Sequence, residues 1–169
     1  MGDSALLIID VQNGLFERKI PIFKEESFLH NINQLEEQAR SGQVPIIYVR
    51  HENISFLVKG TRGWELHFQL HPSIDDTFIG KTHSNAFEKT DLPKKLKEKN
   101  IKRLVIAGLV THGCVQKTCL WAKELGYEVI LVEDGHSNFQ DQAEEVIKYW
   151  NQKLAHERIK IIPTEKIKF

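Results

Sequence analysis

The chain is poor in cysteine, and that scarcity excludes several classes of protein. Its 169 residues include only Cys114 and Cys119, too few for a disulfide framework. The two lie five positions apart, so they do not form the C-x-x-C pair of a redox motif. Scarce cysteine of this kind is typical of a protein that stays reduced, and we expect a cytoplasmic globular protein.

Net charge, long apolar runs and targeting signals are also missing. The 23 basic residues balance the 23 acidic ones, so nothing indicates binding to nucleic acid or to an anionic membrane. The longest apolar runs, such as residues 5–9, are far too short to span a bilayer. The first residues lack the basic region, apolar core and cleavage site of a secretory signal. We therefore expect no membrane partner.

Short apolar runs and helical periodicities alternate along the chain, which predicts an α/β fold. We predict a single domain over residues 1–169, a three-layer, doubly wound, mostly parallel sheet of about six strands with helices on both faces. The predicted strands are residues 5–9, 44–49, 76–79, 103–107, 127–132 and 159–162, and the predicted helices are 27–41, 92–99, 114–125 and 139–151.

Three chemically capable side chains follow predicted strands. Asp10 comes directly after residues 5–9, Lys81 follows a short apolar run, and Cys114 follows the fourth strand. Each has a common structural explanation, as a turn residue, a surface lysine or a small core residue. However, ligand sites in such sheets lie at the carboxyl ends of the strands. The three side chains are therefore predicted to converge as an acid, a base and a nucleophile.

Cys114 stands where the fourth strand turns into a predicted helix. Free backbone N–H groups and the positive end of the helix dipole favour a thiolate at such a position. A nucleotide-binding domain is disfavoured, because the segment after the first strand, residues 10–14, reads Asp-Val-Gln-Asn-Gly and is not a G-x-G-x-x-G fingerprint.

Four segments of the chain resemble the isochorismatase-like cysteine hydrolases. They are residues 7–13, 80–87 with 90–92, 107–115 and 132–135, in the family's order and spacing. The resemblance covers nearly the whole chain and implies that Asp10, Lys81 and Cys114 are the catalytic triad. It also implies a cis peptide bond at Val110–Thr111, just before the threonine of the third motif.

The resemblance implies hydrolysis of an amide or related C–N bond through a thioester. Cys114 would be the nucleophile, Asp10 the general acid and base, and Lys81 the cation that stabilises the thiolate. Backbone N–H groups of Cys114 and of the turn formed by Val110, Thr111 and Gly113 would bind the oxyanion. Family members that cleave a vinyl ether typically carry another residue in place of the cysteine. Isochorismate-type ether hydrolysis, nicotinamidase activity and a ligand-binding member without catalysis remain alternatives.

The nicotinamidase branch of the family binds a divalent metal through an Asp-x-His pair after the second strand. The matching residues here are His51, Glu52 and Asn53, which lack that pair. His51 and Glu52, together with His67 and His71, contain donors suited to Zn²⁺, but their spacing matches no metal motif. We predict no metal and no other cofactor.

The partner is predicted to be a small-molecule substrate bound near the strand ends. Candidate pocket residues lie beside the three strand ends in the sequence or in the irregular segment 50–76. Core packing is the commoner fate of an aromatic residue. The candidates are Gln12, Phe16, Trp64, His83, Phe87, His112 and Phe139. Gln12 and Asn13 are expected to orient Asp10. The resemblance further implies a homodimer or higher homo-oligomer in which a neighbouring subunit completes the pocket.

Overall fold

The computed structural model describes residues 2–139 and 141–169. The strands are β1 (Ser4–Ile9), β2 (Ile46–His51), β3 (Thr77–Lys81), β4 (Arg103–Leu109), β5 (Glu128–Ser137) and β6 (Lys160–Ile162). The α-helices are α1 (Asn13–Phe16), α2 (Glu25–Ser41), α3 (Leu92–Glu98), α4 (Gln116–Glu124) and α5 (Ala143–His156). A π-helical turn, Thr111–Val115, joins β4 to α4 and is called the nucleophile turn below.

The six strands form one sheet in the order β3-β2-β1-β4-β5-β6, and every neighbouring pair is parallel. This confirms the predicted doubly wound α/β fold. β1 lies between β2 and β4 and is buried on both faces, which explains its uninterrupted apolar sequence. The chain order reverses at β1, so the carboxyl ends of β1 and β4 flank the crevice in which such sheets bind ligands.

Alternate residues of the strands pack against helices on opposite faces of the sheet. Leu6, Ile8 and Val105 face α2, whose buried residues include Phe28, Ile32 and Leu35. The other face packs against α3, α4 and α5 through the apolar residues Leu7, Ile9, Ile106, Leu96, Cys119 and Leu154. Cys119 is fully buried in that layer. None of the described helices has the length and hydrophobicity needed to cross a bilayer.

Two predicted helix starts are wrong because the residues there belong to the nucleophile turn or to the segment that continues from β5. The helix predicted from Cys114 begins at Gln116, since the nucleophile turn precedes it. The last helix begins at Ala143 rather than at Phe139. β5 continues to Ser137, whose hydroxyl donates to the Phe23 carbonyl, and Phe139 pairs with Ile22. These contacts hold residues 137–139 in extended conformation.

Gly108 lies where β4 passes closest to the end of β1. Its φ is +128°, and a Cβ there would lie 2.6 Å from the Ile9 nitrogen and overlap the Ile9 carbonyl oxygen. The positive φ and the close approach both require glycine at this position. Since Ile9 precedes Asp10, this contact sets how closely the first and fourth strands meet at the candidate site.

Replacement of Gly108 by alanine is expected to lower the free energy of unfolding by about 3 kcal/mol, because the added methyl overlaps the β1 backbone. Gly60→Ala is the matched control, since Gly60 also has a positive φ of +84° but faces open space. It should cost only about 1 kcal/mol. Urea unfolding of both variants measures the difference, and equal losses would contradict the steric explanation.

Candidate active site

The Lys81 ammonium lies at the centre of the candidate site. Its Nζ is 2.7 Å from Asp10 Oδ2 and 3.1 Å from Cys114 Sγ. Nζ also contacts His51 Nδ1 at 3.1 Å and the His83 carbonyl oxygen at 3.2 Å. The Lys81 and Asp10 side chains are only 0% and 3% exposed. The structure thus brings together the three residues predicted to converge and adds a histidine.

Parallel strand ends place these side chains. Asp10 follows β1 in a left-handed conformation with φ 55°, and its N–H donates to the Val49 carbonyl of β2. Lys81 is the last residue of β3 and is in register with His51, the last residue of β2. Cys114 lies in the nucleophile turn after β4. The convergence therefore follows from the strand order β3-β2-β1-β4.

The surroundings of Cys114 favour the protonated thiol over the expected thiolate. Burial and the negative charge of Asp10 raise its pKa to about 12, and Lys81 only partly offsets them. The helix dipole gives less help than predicted, because α4 begins two residues later, at Gln116, and the dipole acts within the first turn. Nucleophilic attack therefore requires that the thiol lose its proton as it reacts.

Asp10 offers an acceptor for that proton. Its Oδ2 binds Lys81, whereas Oδ1 is buried and has no hydrogen-bond partner among the described residues. A buried carboxylate oxygen without a partner is costly. Such an oxygen beside a thiol is a suitable general base.

His51 is the member of the cluster whose contact with Lys81 the sequence analysis missed. Burial, followed by the nearby Lys81 charge, lowers its pKa, so the imidazole is neutral at physiological pH. Because an ammonium only donates, Nδ1 accepts from Lys81 and the ring hydrogen lies on Nε2. No sequence signal indicates this contact, because it depends on the register of β2 and β3.

The nucleophile turn is anchored to the end of β5. The Thr111 hydroxyl donates to the Ser137 carbonyl at 3.0 Å and lies 2.8 Å from Nδ1 of His136. His136 is buried, and burial lowers its pKa to about 4, so it is neutral. Both contacts hold the start of the turn that carries Cys114.

Two predictions about this turn need correction. The cis peptide bond is Leu109–Val110, not Val110–Thr111, because β4 extends to Leu109 and the chain turns directly after it. Gly113 is not a free donor, since its N–H donates to the Val110 carbonyl at 3.0 Å. The Val110 N–H, by contrast, has no backbone acceptor within residues 2–139 and 141–169.

The Gln12 N–H donates to the Asp10 carbonyl at 2.9 Å, but the side chains of Gln12 and Asn13 bind other groups. Gln12 is fully buried, and its amide binds the N–H and carbonyl of His51 and the carbonyl of Trp64. Asn13 binds the Arg62 carbonyl and the N–H of Phe68. Both side chains turn away from Asp10 because they satisfy backbone groups of β2 and of the following irregular segment. The Gln12 side chain is therefore not a lining residue of a pocket.

The other predicted pocket residues have separate surroundings. His83 contributes its carbonyl to Lys81, while its imidazole lies 3.7 Å from Glu88. Phe87 is buried in the core beside Tyr127 and is not a pocket residue. Phe16 packs on His67, Trp64 stacks under the Arg50 guanidinium, and Arg18 covers Phe139. His112, exposed, lines a surface cleft of about 560 Å³ with Asn138 and Tyr149.

Three side chains that could bind a metal surround Lys81. Ligand atoms of Asp10, His51 and Cys114 lie within 4.8 Å of one another. The Lys81 ammonium contacts all three, so a tethered cation takes the place between them. His67 packs between Phe16 and Phe68, and His71 lies beside Glu36. Neither joins His51 in a cluster, so the donors do not fit a metal ion while Lys81 stays in place.

Comparison with known proteins identifies the family. Residues 4–156 match the Isochorismatase domain. The chain belongs to the isochorismatase family. It is 35% identical to the uncharacterized isochorismatase family protein YddQ of Bacillus subtilis, over 85% of this chain and 83% of that protein. A crystal structure of an isochorismatase family protein superposes with a TM-score of 0.91 at 32% identity, covering 96% of this chain and 99% of that one. The protein is a hydrolase of this family.

Two further relatives are named for specific hydrolase activities. Streptothricin hydrolase of Streptomyces noursei is 27% identical over 80% of this chain and 50% of its own length. Nicotinamidase 3 of Arabidopsis thaliana is 25% identical, over 84% of this chain and 77% of its length.

Cys114 should react with iodoacetamide slowly at neutral pH, and its rate should keep rising from pH 6 to pH 9 because the thiol pKa lies near 12. Peptide mass spectrometry gives the rate at each pH. Cys119 is the internal control and should react more slowly still, being fully buried. A rate that levels off below pH 8 would show that a thiolate is present at rest.

Removal of metals should leave the site unchanged, because Lys81 already contacts the available donors. Exhaustive dialysis against EDTA is expected to alter the Cys114 alkylation rate by less than about twofold. Addition of Zn²⁺ to the dialysed protein then serves as the reciprocal measurement. A loss of Cys114 alkylation that returns only with a particular metal would contradict the assignment of Lys81 as the cation.

Proposed function

We propose that the protein hydrolyses a C–N bond of a small amide through a thioester on Cys114. The contact that carries the proposal is the Lys81 ammonium, 2.7 Å from the Asp10 carboxylate and 3.1 Å from the Cys114 sulfur. An acid–base group, a cation and a nucleophile within hydrogen-bond reach are the requirements of nucleophilic acyl transfer.

The first step couples proton transfer to attack. The Cys114 proton passes to Oδ1 of Asp10 while the sulfur bonds to the carbonyl carbon of the amide. Lys81 stabilises the sulfur as it gains negative charge and holds the other carboxylate oxygen. A thiol whose pKa is raised to about 12 contributes little thiolate on its own, so the attack needs this proton transfer.

The tetrahedral intermediate needs donors for its oxyanion. We assign this role to the N–H groups of Val110 and Cys114 in place of that of Gly113, which already donates to the Val110 carbonyl. Protonated Asp10 then gives its proton to the departing nitrogen. Collapse of the intermediate releases an amine or ammonia and leaves an acyl group on Cys114.

Hydrolysis of the thioester reverses the proton path. Asp10, again a carboxylate, takes a proton from water as the water oxygen attacks the acyl carbon. The proton returns to the sulfur when the carboxylic acid leaves. Asp10 serves in turn as base, acid, base and acid, and each proton that it accepts is passed on in the following step.

The second candidate is vinyl-ether hydrolysis of the isochorismate type, which requires proton donation and attack by water but no nucleophilic side chain. The Cys114 sulfur within reach of both charged partners favours the amidase. Streptothricin hydrolase and nicotinamidase 3 among the relatives support the same choice.

The homo-oligomeric state and the cytoplasmic location stay predictions.

A screen of primary amides, carbamoyl compounds and isochorismate tests the proposal. Turnover of an amide or carbamoyl compound is expected, with Cys114→Ala and Asp10→Asn each lowering kcat/KM by roughly 10³-fold or more. Cys119→Ala is the matched cysteine control and should keep wild-type turnover. Turnover of isochorismate that survives Cys114→Ala but not Asp10→Asn would establish the ether hydrolase instead. Ligand-induced thermal stabilisation without turnover would indicate a binding protein.

A further inference from the structure

His51 contacts the site but has no place in the reaction steps above. Its Nδ1 lies 3.1 Å from Lys81 Nζ, and the two residues are direct partners in the parallel pairing of β2 and β3. The Glu52 N–H donates to the Lys81 carbonyl at 2.8 Å. Backbone pairing therefore fixes the two residues side by side, with the imidazole of one facing the ammonium of the other.

The backbone of His51 is held from a second side by Gln12. Gln12 Oε1 accepts the His51 N–H at 2.8 Å, and Nε2 donates to the His51 carbonyl at 2.9 Å. The same Nε2 donates to the Trp64 carbonyl at 2.8 Å. A fully buried side chain with each polar atom bonded is rigid. Gln12, two residues after Asp10, thus ties the end of β2 to the end of β1.

Lys81 has more acceptors than hydrogens. Its three N–H groups face Asp10, His51, the His83 carbonyl and Cys114. A neutral thiol is the weakest acceptor of these four. When the sulfur becomes negative, a hydrogen shared with neutral His51 can turn to the sulfur while Nζ stays in place.

We infer that His51 is a positioning residue that accepts a hydrogen bond from Lys81 and holds the ammonium between Asp10 and Cys114, itself fixed by Gln12. The inference rests on the proposed function for its effect on turnover. Its effect on Cys114 reactivity and on the His51 tautomer does not depend on the substrate.

The test compares two substitutions of similar size. His51→Asn places an amide oxygen close to the position of Nδ1 and keeps an acceptor, whereas His51→Leu removes it and leaves a buried charge with one partner fewer. Removing the acceptor lets the ammonium leave its position between Asp10 and Cys114, so that it stabilises the Cys114 thiolate less. Iodoacetamide labelling of Cys114 at pH 8 should therefore slow by roughly tenfold or more in His51→Leu and stay within about threefold in His51→Asn. His156→Leu, at an exposed histidine, should match wild type.

Nitrogen-15 NMR of wild-type His51 gives a readout that does not depend on the folding of the His51 variants. The inference predicts neutral His51 with its hydrogen on Nε2, and an Nδ1 resonance that moves in Lys81→Met. If no amide is turned over but both results hold, the proposed function fails and the positioning role stands. Equal labelling in His51→Leu and wild type, or a ring hydrogen on Nδ1, would overturn the positioning role.

Discussion

The site depends on a buried ammonium that has four acceptors. Taking Lys81 and Asp10 out of water is costly, and their mutual attraction offsets that cost only when the remaining hydrogen-bonding groups also find partners. Lys81 meets this condition through His51, the His83 carbonyl and Cys114. Asp10 meets it on one oxygen only, since Oδ1 has no partner in the described part of the chain. The oxygen without a hydrogen-bond partner is thus the atom proposed to take the thiol proton.

The fold supports this cluster through close contacts between strand ends. Gly108 lets β4 approach the Ile9 backbone, and Gln12 ties β2 to the segment after β1. On the other side of the nucleophile turn, Thr111 binds the end of β5. Polar side chains that would be costly to bury without partners therefore bind backbone groups. These bonds hold the backbone that positions the reactive groups.

Much of the fold and of the charged cluster could be predicted from the sequence. Alternating apolar runs and helical periods determine a parallel sheet, and the carboxyl ends of its strands are where Asp10, Lys81 and Cys114 meet. The contact of His51 with Lys81 requires the register of β2 and β3, which two short strands do not encode individually. The protonated state of Cys114 depends on burial and on where α4 begins, and neither follows from the position of the cysteine alone. Gln12 is predicted as a pocket residue, and its buried role does not follow from the sequence because its partners, His51 and Trp64, are distant along the chain.

The most direct test of this account is the alkylation rate of Cys114 as a function of pH in Lys81→Met, compared with wild type. Lys81 lowers the pKa of the thiol, whereas burial and Asp10 raise it. If the ammonium is the group that stabilises the Cys114 thiolate, its loss should slow labelling by roughly tenfold or more across the range from pH 7 to pH 9. A variant that remains folded and labels as fast as wild type would show that Cys114 does not depend on Lys81, and would contradict the account.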